Sequence, residues 1–254
     1  MIVLHVDLDN TLIYSYKHDI GNDKINVEIY QDREISFLTG STYDNLKKIK
    51  RKALIVPTST RSIEQYNRIN LQIGNIPYAL VCNGGILLTD GQKAPSWYQT
   101  SLELIRESLP SLKTAQRFLE RDRRRKFELR FIEDLFLFTK CDQPELVVEE
   151  LKKKLDTNLA EVFHNKEKVY VVPRKLSKGT AVERFREYIK ADQIIAAGDS
   201  EFDISMLRAA DIGLAPQGFR QEYPIDFQVE EMPGRRIFSD EMSDRILELC
   251  QTRI

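Results

Sequence analysis

The chain has 254 residues, of which 42% are hydrophobic and 30% charged, a composition that excludes a disordered or fibrous protein and allows two modest domains or one domain with an insertion. Its 38 basic and 39 acidic residues give a formal net charge of −1, so we expect no nucleic acid partner. No apolar stretch has the length needed to cross a bilayer. The three cysteines form no CxxC pair, which argues against a disulfide framework or a zinc site and favours a reducing, cytoplasmic location.

The first part of the chain alternates between predicted strands and helices. It opens with the apolar run Ile2 to Val6, which is typical of a buried central parallel strand rather than of a signal peptide. Residues 24–39 alternate in polarity and are rich in β-branched and aromatic types, which predicts a hairpin with its turn near Gln31 and Asp32. The remaining elements follow in order: a helix capped by Ser41 or Thr42 and extending to Arg51, a strand at 53–56, a helix from Ser62 and a strand at 80–82.

The pattern changes after the turn Asn83-Gly84-Gly85, which predicts an inserted domain at 86–171. The insertion has α+β order: a hairpin at 86–94, helices on either side of Pro110, strands near 127–132 and 134–140, a helix over 144–157, and strands near 160–164 and 168–172. The alternation resumes with a helix from Lys178, a strand at 193–197, a helix over 201–209, a strand at 212–215 and a final helix over 239–251. The sequence therefore predicts one α/β core, residues 1–85 and 172–254, split by one insertion.

Two acids, Asp7 and Asp9, follow the first predicted strand within the motif DLDNT. If the chain leaves the strand there, both carboxylates can turn toward the crevice at the carboxyl end of the sheet, where open α/β sheets bind ligands. A carboxylate can attack phosphorus and form an aspartyl-phosphate, and a second acid can then transfer protons. Taken alone, the motif also fits an ordinary turn between a strand and a loop.

A second group of acids, Asp199 and Asp203, follows the strand at 193–197. Two strands of one parallel sheet would thus direct acids toward the same edge. Carboxylate oxygens are the ligands that Mg²⁺ prefers in proteins. The alternative is structural, with Asp199 or Ser200 capping the helix that follows.

The strand at 53–56 is followed by Thr58-Ser59-Thr60-Arg61, which supplies hydroxyls and amides at a predicted helix start, a favourable place for a phosphate oxygen. Lys178 lies at the start of another predicted helix. On its own, this lysine fits an ordinary surface charge better than a site residue, and only its place in the order of motifs singles it out.

The chain therefore contains, in this order, DxDxT, a cluster of hydroxyl residues, a lysine and GDxxxD. Over residues 1–85 and 172–254, this order of motifs resembles that of the haloacid dehalogenase superfamily of phosphotransferases. The insertion, which opens with VCNGG at 81–85, resembles the type-two cap of the Cof-like and sucrose-phosphate-phosphatase-like branch. The resemblance implies a Rossmann-like, three-layer α/β core with a parallel sheet and an inserted α+β cap that determines substrate specificity. It also implies Mg²⁺ as the cofactor.

The resemblance implies a role for each of six residues: Asp7 as nucleophile and metal ligand, Asp9 as general acid/base whose backbone carbonyl also binds the metal, Asp199 as metal ligand, Asp203 as the acid that orients the metal or its water, Lys178 as the neutralising cation, and Ser59 as the hydroxyl that binds the transferring phosphoryl group. Alignment on Arg61 selects Ser59, whereas Thr58 takes the role if the strand ends one residue earlier. The chain has Asn10 where relatives often have Gly, and Asn tolerates the left-handed conformation. The predicted hairpin at 24–39 makes the span between the first two motifs longer than usual.

The function implied is hydrolysis of a small phosphorylated metabolite, such as a sugar phosphate or a related phosphoester. A phosphomutase or other phosphotransferase would use the same residues and give the phosphoryl group to a second hydroxyl. A non-catalytic regulatory module is the alternative from another class, and the basic run at 121–126 would be its contact surface. The intact pair of Asp7 and Asp9 argues against it, because a binding module has no need of the second acid. The sequence indicates no membrane partner and leaves the oligomeric state open.

Overall fold

The computed structural model describes residues 1–251, which form two compact units. One unit combines Met1–Lys93 with the chain from Lys178 onward, and the other is Ala94–Ser177. None of the helices in the described residues has both the length and the apolar character required to cross a membrane.

The elements are numbered in chain order. Those of the first unit before the insertion are β1 (Ile2–Val6), β2 (Tyr14–Ser15), β3 (Lys24–Tyr30), β4 (Arg33–Thr39), α1 (Gly40–Ile49), β5 (Leu54–Pro57), α2 (Ile63–Tyr66), β6 (Tyr78–Val81), β7 (Ile86–Thr89) and β8 (Gln92–Lys93). Those of the second unit are α3 (Pro95–Leu104), α4 (Leu109–Arg121), β9 (Arg130–Ile132), β10 (Phe136–Lys140), α5 (Pro144–Lys154), β11 (Ala160–Asn165) and β12 (Lys168–Pro173). The first unit ends with α6 (Lys178–Ile189), β13 (Gln193–Ala197), α7 (Ile204–Ala209), β14 (Ile212–Ala215), α8 (Phe219–Glu222), β15 (Glu230–Glu231) and α9 (Phe238–Leu249).

The main sheet of the first unit is parallel, with the strand order β15-β14-β13-β1-β5. Both faces of its central strands are covered, since Ile195 and Ala197 of β13 pack in one cluster with residues of α1 and α9, while Ile194 and Ala196 pack in another with residues of α6 and α7. Strands buried on both faces read as continuous apolar runs, which explains the composition of β1 and β13. The predicted three-layer α/β core with a parallel sheet is confirmed.

Three strands of this sheet end at the same level. Val6, the last residue of β1, pairs with Ala197 at the end of β13 and with Pro57 at the end of β5. The residues that follow each strand therefore emerge at one edge of the sheet, although they lie far apart in sequence.

The predicted hairpin at 24–39 is confirmed as the antiparallel pair β3 and β4, with β2 on the other side of β4. Gln31 and Asp32, the two residues between the strands, have φ angles of 49° and 58°. Two left-handed residues in a two-residue connection are what a type I′ hairpin turn requires, because that turn matches the twist of the strands.

The boundaries of the units differ from the predicted ones. The hairpin of β7 and β8, predicted to open the insertion, pairs with β6 in the first unit, so the division falls after Lys93 and not after residue 85. The turn between β6 and β7, with Cys82 and Asn83 at φ 54° and 58°, marks a change of strand direction and not a change of unit. Residues 172–177 belong to the second unit, because β12 extends to Pro173 and pairs there with Ala160.

The second unit has an antiparallel sheet with the strand order β11-β12-β10-β9. Helices α4 and α5 cover it through a shared apolar cluster that includes Leu112, Val147 and Leu151 from the helices and Leu137 and Val171 from the strands. Apolar residues spaced three or four apart on each helix explain why one helix face packs on the sheet.

Candidate active site

The carboxyl ends of β1, β5 and β13 bring the predicted motifs together. The backbone amide of Asp7 donates to the carbonyl of Ala197 at 2.9 Å, and the amide of Thr58 donates to the carbonyl of Val6 at 2.8 Å. These hydrogen bonds continue the pairing of the strands by one residue, so the three loops begin side by side. Asp7 is buried, with 6% of its surface exposed.

Asp7, Asp199 and Asp203 form one group, in which each residue offers a carboxylate oxygen and these atoms all lie within 4.8 Å of one another. The two acidic motifs identified in the sequence therefore meet at one place, as the ends of the strands require. Asp9 is not part of this group.

Lys178 lies against this group at the start of α6 and is 1% exposed, so the alternative of a surface charge is wrong. Its Nζ donates to Oδ1 of Asp7 at 2.5 Å and to Oδ1 of Asp203 at 2.6 Å. A buried ammonium group is stable only when it is paired. Burial alone would lower the pKa of Lys178, but the adjacent carboxylates of Asp203 and Asp7 outweigh it and raise this pKa, so the side chain stays charged.

The position of Lys178 depends on a close approach between two helices. A Cβ atom on Gly179 would clash with the backbone carbonyl of Ser205 in α7, and the amide of Gly179 donates to the hydroxyl of Ser205 at 3.1 Å. Glycine at this position allows α6 and α7 to pack closely, and this packing places Lys178 beside Asp203.

Asp203 organises the loop after β13. Its Oδ2 accepts from the backbone amides of Asp199 and Ser200 at 3.1 and 3.0 Å and from the hydroxyl of Ser200 at 2.9 Å, while Oδ1 accepts from Lys178. Asp199 accepts a hydrogen bond of 2.8 Å from the hydroxyl of Thr11. Ser200 makes the capping interaction that was the structural alternative for this motif, so the loop combines helix capping with an acid turned to the site.

The packing of these carboxylates changes their acidity. Burial raises the pKa of Asp7 well above its ordinary value, against the lowering effect of Lys178, and burial followed by the charge of Asp203 raises the pKa of Asp199 to about 7. Three carboxylates share a single adjacent ammonium group among the described contacts, and a bound cation would relieve this excess of negative charge. Because the donors are all carboxylate oxygens, the group fits Mg²⁺.

The loop after Asp7 has the backbone conformation expected from its sequence. Asn10 has a φ of 61°, in the left-handed region, and its amide donates to the carbonyl of Ile13 at 2.9 Å. Asn replaces the usual Gly here because its short polar side chain tolerates this conformation. The prediction for Asn10 is confirmed.

Ser59 and Thr58 differ in what their hydroxyls contact. Oγ1 of Thr58 donates to the carbonyl of Val56 at 3.1 Å and lies 2.9 Å from Nδ1 of His5, a residue with no exposed surface. Ser59 is also buried, and its Oγ accepts from the amide of Arg61 at 3.2 Å. The hydroxyl of Thr58 is therefore directed into the core, which favours Ser59 of the two.

The carboxylate of Asp9 is paired with Arg61, a residue to which the sequence analysis gave no role beyond aligning the motif. Oδ2 of Asp9 accepts from Nε of Arg61 at 2.8 Å, and Oδ1 accepts from Nη2 at 2.7 Å, while 51% of the Asp9 side chain is exposed. Such a two-point pair fixes the orientation of the carboxylate more strongly than a single contact. Thr11 was likewise not assigned a role, although it is the last residue of the DxDxT motif.

The comparisons with known proteins agree with this geometry. Residues 96–217 match the family model of the haloacid dehalogenase-like hydrolases, a segment of just under half of the chain that includes Lys178, Asp199 and Asp203. No curated protein matches the sequence. The predicted resemblance to the haloacid dehalogenase superfamily is confirmed, and with it the prediction of a hydrolase.

Several solved structures share the fold over almost the whole chain. A sucrose-phosphatase from Synechocystis, in complex with sucrose and phosphate, has a TM-score of 0.64 and 15% identity, and the match covers 97% of each chain. A haloacid dehalogenase-like hydrolase from B. subtilis has a TM-score of 0.60 and 15% identity, with 100% of each chain covered. A trehalose-6-phosphate phosphatase from Aspergillus fumigatus has a TM-score of 0.52 and 15% identity, covering 98% of this chain and 92% of that chain.

Proposed function

From this family resemblance and the site geometry, we propose that the chain is a Mg²⁺-dependent phosphatase that hydrolyses a small phosphorylated metabolite through an aspartyl-phosphate on Asp7. The observation that supports it best is the buried carboxylate of Asp7, which lies at the edge of the sheet with Asp199 and Asp203 and is paired with Lys178. An acid held there has few structural purposes, since a hydrophobic residue would cost less to bury.

The proposed reaction has two steps. Lys178 holds Oδ1 of Asp7, so we assign Oδ2 as the oxygen that attacks the phosphorus atom. As the new bond forms, the bond between phosphorus and the ester oxygen breaks, and Asp9 gives a proton to the leaving oxygen. In the second step Asp9 takes a proton from water, which attacks the same phosphorus atom, releases inorganic phosphate and restores Asp7.

Charge neutralisation is the other part of the proposed mechanism. Lys178 offsets negative charge on Asp7 and on the phosphoryl group, and Ser59 binds a phosphoryl oxygen. Asp7, Asp199 and the backbone carbonyl of Asp9 would hold Mg²⁺, with Asp203 orienting the ion or its water, and the ion would supply further charge stabilisation when bound.

The proposed substrate is a sugar phosphate or a related phosphoester. Two of the structural matches are named as a sucrose-phosphatase and a trehalose-6-phosphate phosphatase, which motivates this choice. We further propose that Ala94–Ser177 selects the substrate, because every residue assigned to the chemistry lies outside this unit. The reducing, cytoplasmic location also stays a prediction; Cys82, Cys141 and Cys250 are all buried and form no disulfide.

The test is a panel of sugar phosphates, nucleotides, glycerate phosphates and cofactor phosphates, assayed for free phosphate with and without Mg²⁺. We expect Mg²⁺-dependent release from at least one small ester. A phosphotransferase would instead consume the ester without releasing phosphate, and the phosphoryl group would appear on an added acceptor sugar. If no ester in the panel gives phosphate release or phosphoryl transfer, the proposal is contradicted.

The regulatory alternative lacks a supporting observation. The basic run at 121–126 was its contact surface, but Arg124 pairs with Asp122 and Glu150, and Lys126 pairs with Asp142 and Glu167. Cations that already have acidic neighbours attract a further partner less strongly.

A further inference from the structure

Glu28, in the hairpin of β3 and β4, is an acid whose burial the proposed reaction does not yet explain. It is 1% exposed, and both of its oxygens accept charged hydrogen bonds. Oε1 accepts from Nη1 of Arg61 at 2.9 Å and from Nε of Arg68 at 3.1 Å, and Oε2 accepts from Nη2 of Arg61 at 3.0 Å and from the hydroxyl of Ser36 at 2.7 Å. These bonds outweigh the effect of burial and hold the pKa of Glu28 below its ordinary value.

A β-bulge turns Glu28 inward. The pairing of β3 with β4 passes from Asn26 opposite Phe37 to Glu28 opposite Ser36, so Val27 has no partner in the register. Val27 and Glu28 are consecutive and both buried, and the unpaired Val27 interrupts the regular alternation of side chains between the two faces of the hairpin. Bulges redirect single side chains in this way and are frequent beside active sites.

The bulge is also fixed from its other side. Glu28 forms an isolated antiparallel bridge with Ile69, and the amide of Asn70 donates to the carbonyl of Val27 at 2.8 Å. The backbone of Glu28 is thus held between β4 and the segment after α2, so its carboxylate has a defined position.

Arg61 connects Glu28 to Asp9. One edge of its guanidinium group, Nε and Nη2, binds the carboxylate of Asp9, and the other edge, Nη1 and Nη2, binds Glu28. A guanidinium group is planar, so a two-point contact on one edge determines the plane presented by the other. Glu28 is the buried end of this chain of contacts and Asp9 is the exposed end.

We propose that Glu28 is a positioning residue: it fixes the plane of Arg61, and Arg61 holds the carboxylate of Asp9 in the orientation in which it exchanges protons. This proposal rests on the proposed role of Asp9 as general acid/base. It gives a function to the hairpin at 24–39, which has no assigned part in the resemblance to the superfamily. Glu28 itself does not touch the substrate.

The test compares two leaving groups in the full chain. Glu28→Gln keeps the size of the side chain but replaces one accepting oxygen by an amide group, which cannot accept from Arg61. Nitrophenolate leaves with little help from an acid, whereas an alkoxide needs a proton. For the best alkyl phosphate found in the panel we expect kcat/KM to fall about 10- to 100-fold, within the range that general acid catalysis contributes. For p-nitrophenyl phosphate we expect a loss of less than about 3-fold, because the loss of one orienting contact leaves the attack by Asp7 intact.

Two further variants separate positioning from general damage. Glu34→Gln removes an exposed acid from the same hairpin and should leave both rates unchanged. If Glu28 acts through Arg61, the double variant Glu28→Gln/Arg61→Gln should show the same preference for p-nitrophenyl phosphate as Arg61→Gln alone. Should Glu28→Gln fail to fold, Ser36→Ala, which removes one hydrogen bond to Glu28, should give a smaller loss that is again confined to the alkyl phosphate.

Equal losses on both substrates, or no loss on either, in a folded variant would refute the positioning role while leaving the proposed function in place. A wild-type protein that hydrolyses neither ester would instead refute the proposed function, and the role of Glu28 would fall with it. The two failures are therefore distinguishable from the wild-type rates alone.

Discussion

Gly179→Ala is the substitution that most directly tests how the fold positions the site. The added methyl group would clash with the carbonyl of Ser205, a backbone atom that cannot rotate away, so α6 must move relative to α7. Relief of such an overlap requires a shift of about 1 Å, and excess volume in a packed region costs about 1–3 kcal/mol. Alanine is the better helix former by about 1 kcal/mol, which leaves a net destabilisation of about 0–2 kcal/mol.

The effect on catalysis should be larger than the effect on stability. Lys178, the neighbour of Gly179, contacts Asp7 and Asp203 at 2.5 and 2.6 Å, and a displacement of about 1 Å would break at least one of these contacts. Misplacement by about 1 Å can reduce an enzymatic rate about 100-fold. We therefore expect kcat/KM for the best substrate to fall about 100-fold, whereas thermal unfolding should shift by only a few degrees.

Gly213→Ala is the matched control for this experiment. Its added methyl group would lie 3.2 Å from the carbonyl of Leu207, a tight but tolerable contact, and the three nearest atoms all belong to Leu207, which is not one of the six site residues. The control should lose some stability and keep its kcat/KM. A folded Gly179→Ala protein with wild-type activity would show that the close packing of α6 on α7 is not what positions Lys178.

Two further predictions concern the metal and the inserted unit. Because the only ligands proposed are oxygens, excess chelator should abolish phosphate release and added Mg²⁺ should restore it. Asp199→Asn removes one proposed ligand and should raise the Mg²⁺ concentration needed for half-maximal rate about 10-fold or more. Undiminished turnover in chelator would exclude a metal-dependent reaction. Replacement of Ala94–Ser177 by a short Gly/Ser link should preserve hydrolysis of p-nitrophenyl phosphate while kcat/KM for the best natural ester falls steeply, because all assigned residues lie outside this unit; equal losses on both esters by a folded protein would show that the insertion supplies catalytic groups.

Much of the core and the site could be predicted because each feature has a local cause. The apolar run of β1 is continuous because the strand is buried on both faces. The end of this strand places Asp7 beside the acids of the loop after β13. Asn10 adopts the left-handed conformation that its side chain tolerates. Such features depend on a few neighbouring residues, and motif order was enough to bring them together.

Other features depend on contacts that sequence does not display. The burial of Lys178 follows from the packing of α6 on α7, and nothing around the lysine itself indicates it. The boundary before the insertion was predicted at residue 85, too early in the chain, because a turn sequence like that at Cys82 and Asn83 occurs both within hairpins and between domains. Glu28 lies in a segment of alternating polarity, and only the bulge in the pairing of β3 with β4 turns it toward Arg61.

The central claim, that Asp7 becomes phosphorylated, is tested most directly by mass spectrometry. The enzyme would be quenched in acid during turnover, digested, and searched for the residue that carries the phosphoryl group, with Asp7→Asn treated in parallel. We expect the phosphoryl group on Asp7 in the wild-type protein and no phosphorylated peptide from the variant, which should fold normally but lose essentially all turnover because an amide is a poor nucleophile. A phosphoryl group on Ser59 or another residue, or turnover by a folded Asp7→Asn protein, would contradict the account.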